Sequence, residues 1–444
     1  MKIAIKTLGC KSNRADSDRL IEELLGLFGS VANVVEVNNA SDVSANSDVD
    51  VCIVNTCTVT HVADRKSRSS AKLLRKTYPS ARIIVMGCGP KVDKGDYEAL
   101  DSVDFVGKSS DEVLDYLKGC EFDGASARLS PRPVLGVNGV RTRSVLKIQD
   151  GCNNFCTYCI IPFARGRERS VPYSEVIAGV DKMVGGGFRE VVLTGINIGN
   201  WEGVRGGEKL NIAQLIKEIL YETKVNRLRL SSIEPQNFVE DFEDLLMAPE
   251  YRDRFCPHFH MSLQSGSDKI LELMNRHYSR GLYKKVAHKL KKLRPEVALT
   301  TDVIVGFPGE SDKDFQDTVK FVKEVGFSKV HVFPYSKRKG TRAVTMDDQV
   351  AEDVKKVRAR ELQGICEEMR ASFVDGQIGS EHQVLFEQKV RGRGDAWEGF
   401  TPNYIKIEVE SDEDLLNEIR LVRLEEPSDN PGNKKAPVVR GQLI

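Results

Sequence analysis

The sequence predicts an α/β protein in three parts: an N-terminal parallel α/β domain, a central partial (βα)6 barrel and a small all-β barrel at the C-terminus. Three observations predict it. Short apolar runs of the kind that form buried parallel strands alternate with helical stretches through the first 370 residues or so. That alternation breaks near 121–140, in a segment rich in Gly, Ser and Pro. From about residue 373 only strand-like segments separated by turn residues remain. The boundaries expected are 1–120, 138–372 and 373–434.

In the first part, KIAIKTL, VDVCIVN and RIIVMG are candidate strands, with RLIEELLGLFG and DRKSRSSAKLLRKTY as helices between them. Such a βαβ pattern implies an open parallel sheet. In the second part SVLKIQ, EVVLTG, RLRLSS, HFHMSL, ALTTDVIVG and KVHVFP are candidate strands. Helical segments such as YSEVIAGVDKMV, GLYKKVAHKLKKLR and SDKDFQDTVKFVKEV separate them, and a long charged helix over 351–372 closes the domain. Chemistry in barrels of this kind sits at the carboxyl ends of the strands. In the third part VLFEQK, GFTPNYIKIEVE and NEIRLVRLEE are strands, and the tail SDNPGNKKAPVVRGQLI has no periodicity and is expected to lack structure.

Composition sets bounds. The chain has 444 residues, 40% hydrophobic and 29% charged, ordinary for a globular protein. No apolar run approaches the length of a membrane span, and MKIAIKTLGC is strand-like rather than signal-like, so a cytoplasmic location is expected. In that compartment ten cysteines suit thiols and metal ligands better than disulfides. With 65 basic and 65 acidic residues the chain does not coat nucleic acid by bulk charge. Local basic patches remain: Arg65, Lys66, Arg68, Lys72, Arg75 and Lys76; Arg165, Arg167 and Arg169; Lys389, Arg391 and Arg393. Any one of them alone is more often a solvated face.

The chemistry concentrates in GCNNFCTYCIIPFARGRERS, where Cys152, Cys156 and Cys159 are spaced C-x3-C-x2-C. Three thiolates in one loop hold three irons of a [4Fe–4S] cluster and leave the fourth iron open to substrate or cofactor. A zinc knuckle would need a fourth ligand, and no second pair follows; Cys256 is the next cysteine. A second set, Cys10, Cys57 and Cys88, follows three candidate strands (TLGC, IVNTC, MGC), so the three could converge on one sheet edge. From the residues alone this is either a second iron–sulfur site or three core cysteines. Cys52, Cys120, Cys256 and Cys366 suit the core.

The cysteine loop resembles the signature of the radical S-adenosylmethionine (SAM) enzymes, including the aromatic Tyr158 before the third cysteine. With GCKSN, NTCTVT, ADRKSR, LRLSSIEP, HMSLQSGSDKILELMNR, TTDVIVGFPGE and GFTPNYIKI, nearly the whole chain resembles the methylthiotransferases. LRLSSIEP, DRKSR and CNNFCTYCIIPFARG look most like the branch acting on N6-threonylcarbamoyladenosine beside the tRNA anticodon. The resemblance implies two [4Fe–4S] clusters, an auxiliary one on Cys10, Cys57 and Cys88 and a radical one on Cys152, Cys156 and Cys159. It also implies SAM as cofactor, a TRAM-like C-terminal domain that binds RNA, and a methylthio group placed on C2 of the adenine. Electron and sulfur donors are implied but not identified, and no membrane partner is expected. SAM contacts are expected at Tyr158, Thr194, Gly195, Asn197, Glu234, Gln264 and Val305. RNA contacts are expected at Arg165, Arg167, Arg169, Lys389, Arg391 and Arg393, with Tyr404 either stacking on a base or buried in its barrel. No side chain is assigned as a general acid or base. Siblings acting on isopentenyladenosine tRNA or on a ribosomal-protein aspartate are alternatives, as is a non-enzymatic iron–sulfur RNA-binding regulator. One departure stands out: the third N-terminal motif, usually GCYAQ, is GCGPK here, with Gly89, Pro90 and Lys91.

Overall fold

A computed structural model describes residues 1–29, 32–37, 49–120, 141–238, 240–427 and 438–444. The expected linker at 121–140 lies outside the described residues. The chain divides into two compact units: Met1–Gly139 with Asp150–Glu168 and Ser336–Val344, and Val140–Gln149 with Arg169–Tyr335 and Thr345–Ile444.

In the first unit, strands β1 (Lys2–Thr7), β2 (Asn33–Glu36), β3 (Val51–Thr56), β4 (Arg82–Gly87) and β5 (Phe105–Val106) pair in parallel in the order β2-β1-β3-β4-β5. β2 and β5 were missed from sequence because each is too short to show a run. Helices α1 (Lys11–Phe28) and α2 (His61–Thr77) connect strands of the sheet, a short turn of helix, α3 (Cys88–Val92), directly follows β4, and α4 (Ser110–Lys118) follows β5. Two apolar clusters cover the two faces: Ile3, Ile5, Ile53 and Ile84 lie in one, Ala4, Cys52, Val54 and Val85 in the other. Neighbouring residues point to opposite faces, so a sheet buried on both sides reads as a continuous apolar run. Thr60 caps α2 by accepting from the Ala63 N–H, which fixes where the helix leaves the Cys57 loop.

In the second unit six principal strands run in parallel in chain order: β6 (Arg143–Lys147), β7 (Glu190–Thr194), β8 (Arg227–Leu230), β9 (His258–Met261), β10 (Ala298–Val305) and β11 (Lys329–Pro334). A parallel bridge between Leu228 and Phe255 joins the two halves of this curved sheet. Helices α5 (Tyr173–Gly185), α6 (Ile212–Glu222), α7 (Arg280–Leu293), α8 (Asp312–Val325) and α9 (Glu352–Asp375) cover it. All six expected strands are present. Val191, Leu193, Leu228, Phe259 and Val303 pack towards the helices in one core.

Five further strands close a barrel: β12 (Glu381–Lys389), β13 (Ala396–Phe400), β14 (Lys406–Glu410), β15 (Ile419–Pro427) and β16 (Val438–Leu443). Here the expectation for the tail is corrected. Val438–Leu443 is a strand, parallel to β14 and antiparallel to β15, that closes the barrel. Six residues carry too little pattern to declare a strand alone, and the pairing partners make it one. Cys52, Cys256 and Cys366 are buried as expected; Cys120 is only half-buried, its thiol donating to the Tyr116 carbonyl.

Candidate functional site

The first unit brings its three strand-end cysteines together. Cys10 stands at the N-cap of α1, Cys57 directly follows β3, and Cys88 opens α3 after β4. Gly9 makes the approach possible: at φ 101° it turns the chain, and a Cβ there would sit 2.7 Å from Cys57 Cβ. Gly87, at φ 100°, plays the same part, since a Cβ would fall 2.7 Å from the Thr56 backbone.

Asn13, the last residue of GCKSN, ties the set. Its Nδ2 donates to the carbonyls of Leu8 (2.8 Å) and Thr56 (2.7 Å), clamping the ends of β1 and β3. Its Oδ1 faces the thiols of Cys88 (3.6 Å) and Cys10 (3.9 Å). The same oxygen accepts from Arg165 Nη2 at 2.5 Å. Arg165 is buried and also donates to Asp16 (3.0 Å) and to both oxygens of Asp150 (3.1 and 3.2 Å). This corrects the expectation that Arg165 is a surface RNA contact. Sequence reading missed Asn13, Asp16 and Asp150; for Asn13 the available signal was its place at the end of the GCKSN motif, three residues after Cys10.

Burial pushes the Cys57 thiol up to about 11, with Cys88 and Cys10 adding to the rise and Arg165 opposing it. Burial raises Cys88 too, again against the pull of Arg165. Crowded buried thiols resist ionising together, and bound iron removes that cost because a coordinated thiol is deprotonated outright. Three thiols, one buried cation and an amide oxygen fit a thiolate-held iron–sulfur cluster. Among the described residues no three His, Cys, Asp or Glu side chains are gathered closely enough to hold a single metal ion.

The second cysteine loop lies in the same unit. Cys152 N–H donates to the Gly166 carbonyl (3.1 Å) and Cys159 N–H to the Cys156 carbonyl (2.9 Å). Gly151, at φ 74°, is obligatory, because a Cβ would lie 2.0 Å from the Arg167 carbonyl. Cys156 is buried; Cys152, Cys159 and Tyr158 are half-buried. Arg167 is exposed and stacks its guanidinium 4.6 Å from the Phe155 ring centre.

The GCGPK departure has a structural answer. A Cβ on Gly89 would lie 2.4 Å from Tyr97 Oη, so the Tyr97 ring fills the space that a side chain at 89 would take. Tyr97 Oη donates to Asp64 Oδ1 at 2.9 Å.

In the second unit the expected SAM contacts cluster at strand ends. Thr194 ends β7 and is buried. Gly195 must be small: a Cβ would approach Ile198 Cγ2 at 2.6 Å. Asn197 is 4% exposed, and neither polar atom of its amide has a partner among the described residues. Buried polar groups left unpaired are costly, so this amide has both a donor and an acceptor free for a further partner. Ser231 Oγ, Gln236 Oε1 and Asn237 Oδ1, buried close by in sequence to Glu234, are likewise without partners. Gln264 takes a left-handed backbone (φ 68°), its N–H donating to the Asp302 carbonyl. Two expectations need correction. Glu234 is a buried partner of Arg276 and Gln236, so its carboxylate is already engaged. Val305 is fully buried in the helix-facing core; Ile304, half-exposed, occupies the opposite face of β10.

Arg227 and Arg229, from RLRLSS, are also absorbed by structure. Arg229 grips Glu190 with two bonds (2.7 and 3.0 Å) and donates to the Pro402 carbonyl (2.8 Å); Arg227 donates to the carbonyls of Phe400 (3.0 Å) and Gln383. Tyr404 lies 4.5 Å beneath the Arg229 guanidinium and accepts from Arg143 (2.6 Å), so its ring seals the junction of the two barrels. Burial alone would raise Glu190; Arg229, with Arg227 and Arg143, holds it down to about 2. Arg169 and Arg391 are exposed, as is Lys389, which lies over Trp397; Arg393 pairs with Glu410 and Glu408.

Known proteins now place this arrangement. Residues 146–322 match the model of the Radical SAM superfamily, and residues 2–107 that of Uncharacterized protein family UPF0004. The fold is similar to that of TsrM, a radical SAM methyltransferase from Kitasatospora setae (TM-score 0.53, 16% identity, 77% of this chain and 75% of that one). The class is therefore a radical SAM enzyme. Threonylcarbamoyladenosine tRNA methylthiotransferase MtaB of Bacillus subtilis is 34% identical over 446 residues, 95% of this chain and 93% of that protein. The protein of the same name from Thermotoga maritima is 36% identical over 415 residues, 91% of each. A tRNA-2-methylthio-N(6)-dimethylallyladenosine synthase of Endomicrobium trichonymphae is 33% identical over 405 residues, 88% of this chain and 90% of that one. The chain belongs to the radical SAM methylthiotransferase family. Among the described residues no helix is long and apolar enough to cross a membrane.

Proposed function

We propose that this protein places a methylthio group on C2 of N6-threonylcarbamoyladenosine in tRNA, in the cytoplasm, with one [4Fe–4S] cluster on Cys152, Cys156 and Cys159 and a second on Cys10, Cys57 and Cys88. The observation that carries the reading is the meeting of three cysteine-bearing strand ends at Asn13. When bound, the clusters and SAM supply reductive sulfonium cleavage and the sulfur to be transferred, chemistry that no protein side chain offers.

The chain's own residues bind and orient. Asn197, with Thr194, Gly195 and Gln264, offers polar groups and space for SAM at the strand ends; Tyr158 sits within the cysteine loop. Asn13 aligns the strand ends that carry Cys10 and Cys57. Arg165 keeps a fixed positive charge beside the three thiolates. The C-terminal barrel, whose strands run from Glu381 to Leu443, serves as a TRAM-like domain, and Arg167, Arg169, Lys389, Arg391 and Arg393 meet RNA phosphates. Relatives named for threonylcarbamoyladenosine support this substrate, and those named for the dimethylallyl base mark the competing one. Electron and sulfur donors come from outside the chain.

Mass spectrometry of tRNA nucleosides from cells with and without the protein tests the substrate. Loss of the 2-methylthio form of threonylcarbamoyladenosine is expected; loss of the isopentenyl form alone overturns the assignment. In anaerobically reconstituted protein Cys156→Ala should abolish 5′-deoxyadenosine formation while iron remains on the other three cysteines.

A further inference from the structure

A pocket of about 530 Å³ in the first unit is lined by Thr58 and Gly89, the residues that directly follow Cys57 and Cys88. That volume suits a small organic group. Ile160 and Phe163 give it an apolar wall. Arg338 lines it while only 9% exposed; one nitrogen donates to Thr58 Oγ1, and its Nε–H is buried with no partner among the described residues. A buried donor without an acceptor is costly, and a guanidinium fork matches a carboxylate.

The charges around it do not balance. Asp64 is taken by Arg68, Tyr97 and Thr58; Asp96 faces Arg68 at 3.8 Å and Asp93 faces Lys339 at 4.0 Å. Lys91 and Lys337 also line the pocket and have no carboxylate partner among the described residues. Lys91 belongs to GCGPK and stands where the usual motif has a glutamine. The departure thus adds a cation to the pocket wall.

We propose that this pocket seats the free carboxylate of the amino-acid arm on N6 of the substrate adenine, read by Arg338 with Lys91 and Lys337 as supporting cations. The proposal rests on the substrate reading above. Its location fits: a group held here lies one residue from two of the three cysteines expected to carry the transferred sulfur. The competing oxyanion is an RNA backbone phosphate, which the test separates.

The test uses anaerobically reconstituted full-length protein and two anticodon stem-loop RNAs of one sequence, one bearing the threonylcarbamoyl acid and one its methyl ester. Fluorescence anisotropy should show wild-type protein favouring the acid by about tenfold, the size of one good charge-assisted bond. Lys91→Gln, at an exposed position that leaves the fold intact, should reduce that preference severalfold, and Arg338→Gln should erase it. If both variants weaken the two RNAs equally, the pocket holds phosphate and the proposal falls. If neither variant changes the preference, it falls as well. Failure of the substrate reading looks different: wild-type protein would then methylthiolate an isopentenyladenosine stem-loop in preference to the threonylcarbamoyl one.

Discussion

Arg229 in the second unit and Arg165 in the first are both buried arginines, yet they sit in opposite kinds of environment. Arg229 is closed: two bonds to Glu190, one to a backbone carbonyl and an aromatic ring beneath it. Its charge is cancelled on the spot, and what it achieves is to fasten the small barrel to the strands of the large one. Arg165 is held by two carboxylates and an amide oxygen, its Nε is without a partner among the described residues, and three thiols lie within its field. A buried pair that satisfies itself is structural. A buried cation whose charge also acts on three thiols favours their ionised form, the form that binds metal.

The largest effect should come from opening the closed pair. Arg229→Met leaves Glu190 buried without its main partner and should cost about 3–5 kcal/mol in urea denaturation. Arg229→Met with Glu190→Leu should recover much of that loss; a double variant no more stable than the single one would show that the pair is not the fastening. Arg165→Met should cost less, about 1–3 kcal/mol, because Asp16 and Asp150 are part-exposed and water reaches them. It should also lower the iron retained after reconstitution, measured in protein whose Cys152, Cys156 and Cys159 are alanine. Unchanged iron with lowered stability would make Arg165 as structural as Arg229. The smallest effect tests the remodelled neighbour of Cys88: Gly89→Ala drives a Cβ into Tyr97 and should cost about 1–2 kcal/mol by melting temperature, eased when Tyr97 is also made smaller.

Most of the strand framework was legible because its signal is local. Apolar runs and helical periods reported all six strands of the large barrel and three of the five in the N-terminal sheet. The two missed strands are two and four residues long, and the tail strand Val438–Leu443 becomes a strand only through the partners it meets. The cysteines were legible because ligand chemistry restricts residue type and a loop restricts spacing. Their supporting residues were not. Asn13, Asp16 and Asp150 are ordinary polar residues until the chain folds, and Arg165 looked like part of a basic surface patch.

Residue order thus carried the alternation of strands and helices, the cysteine spacing and the glycines beside the cysteines, since each depends on neighbours a few positions apart. Folding alone settled which arginines are buried, that Glu234 is already engaged, that Val305 faces the helices and that Tyr97 occupies the space over Gly89. Apart from Gly89 and Tyr97, which a turn of short helix brings together, those outcomes depend on groups from tens to hundreds of residues apart, and burial and pairing energies exist only once such groups meet.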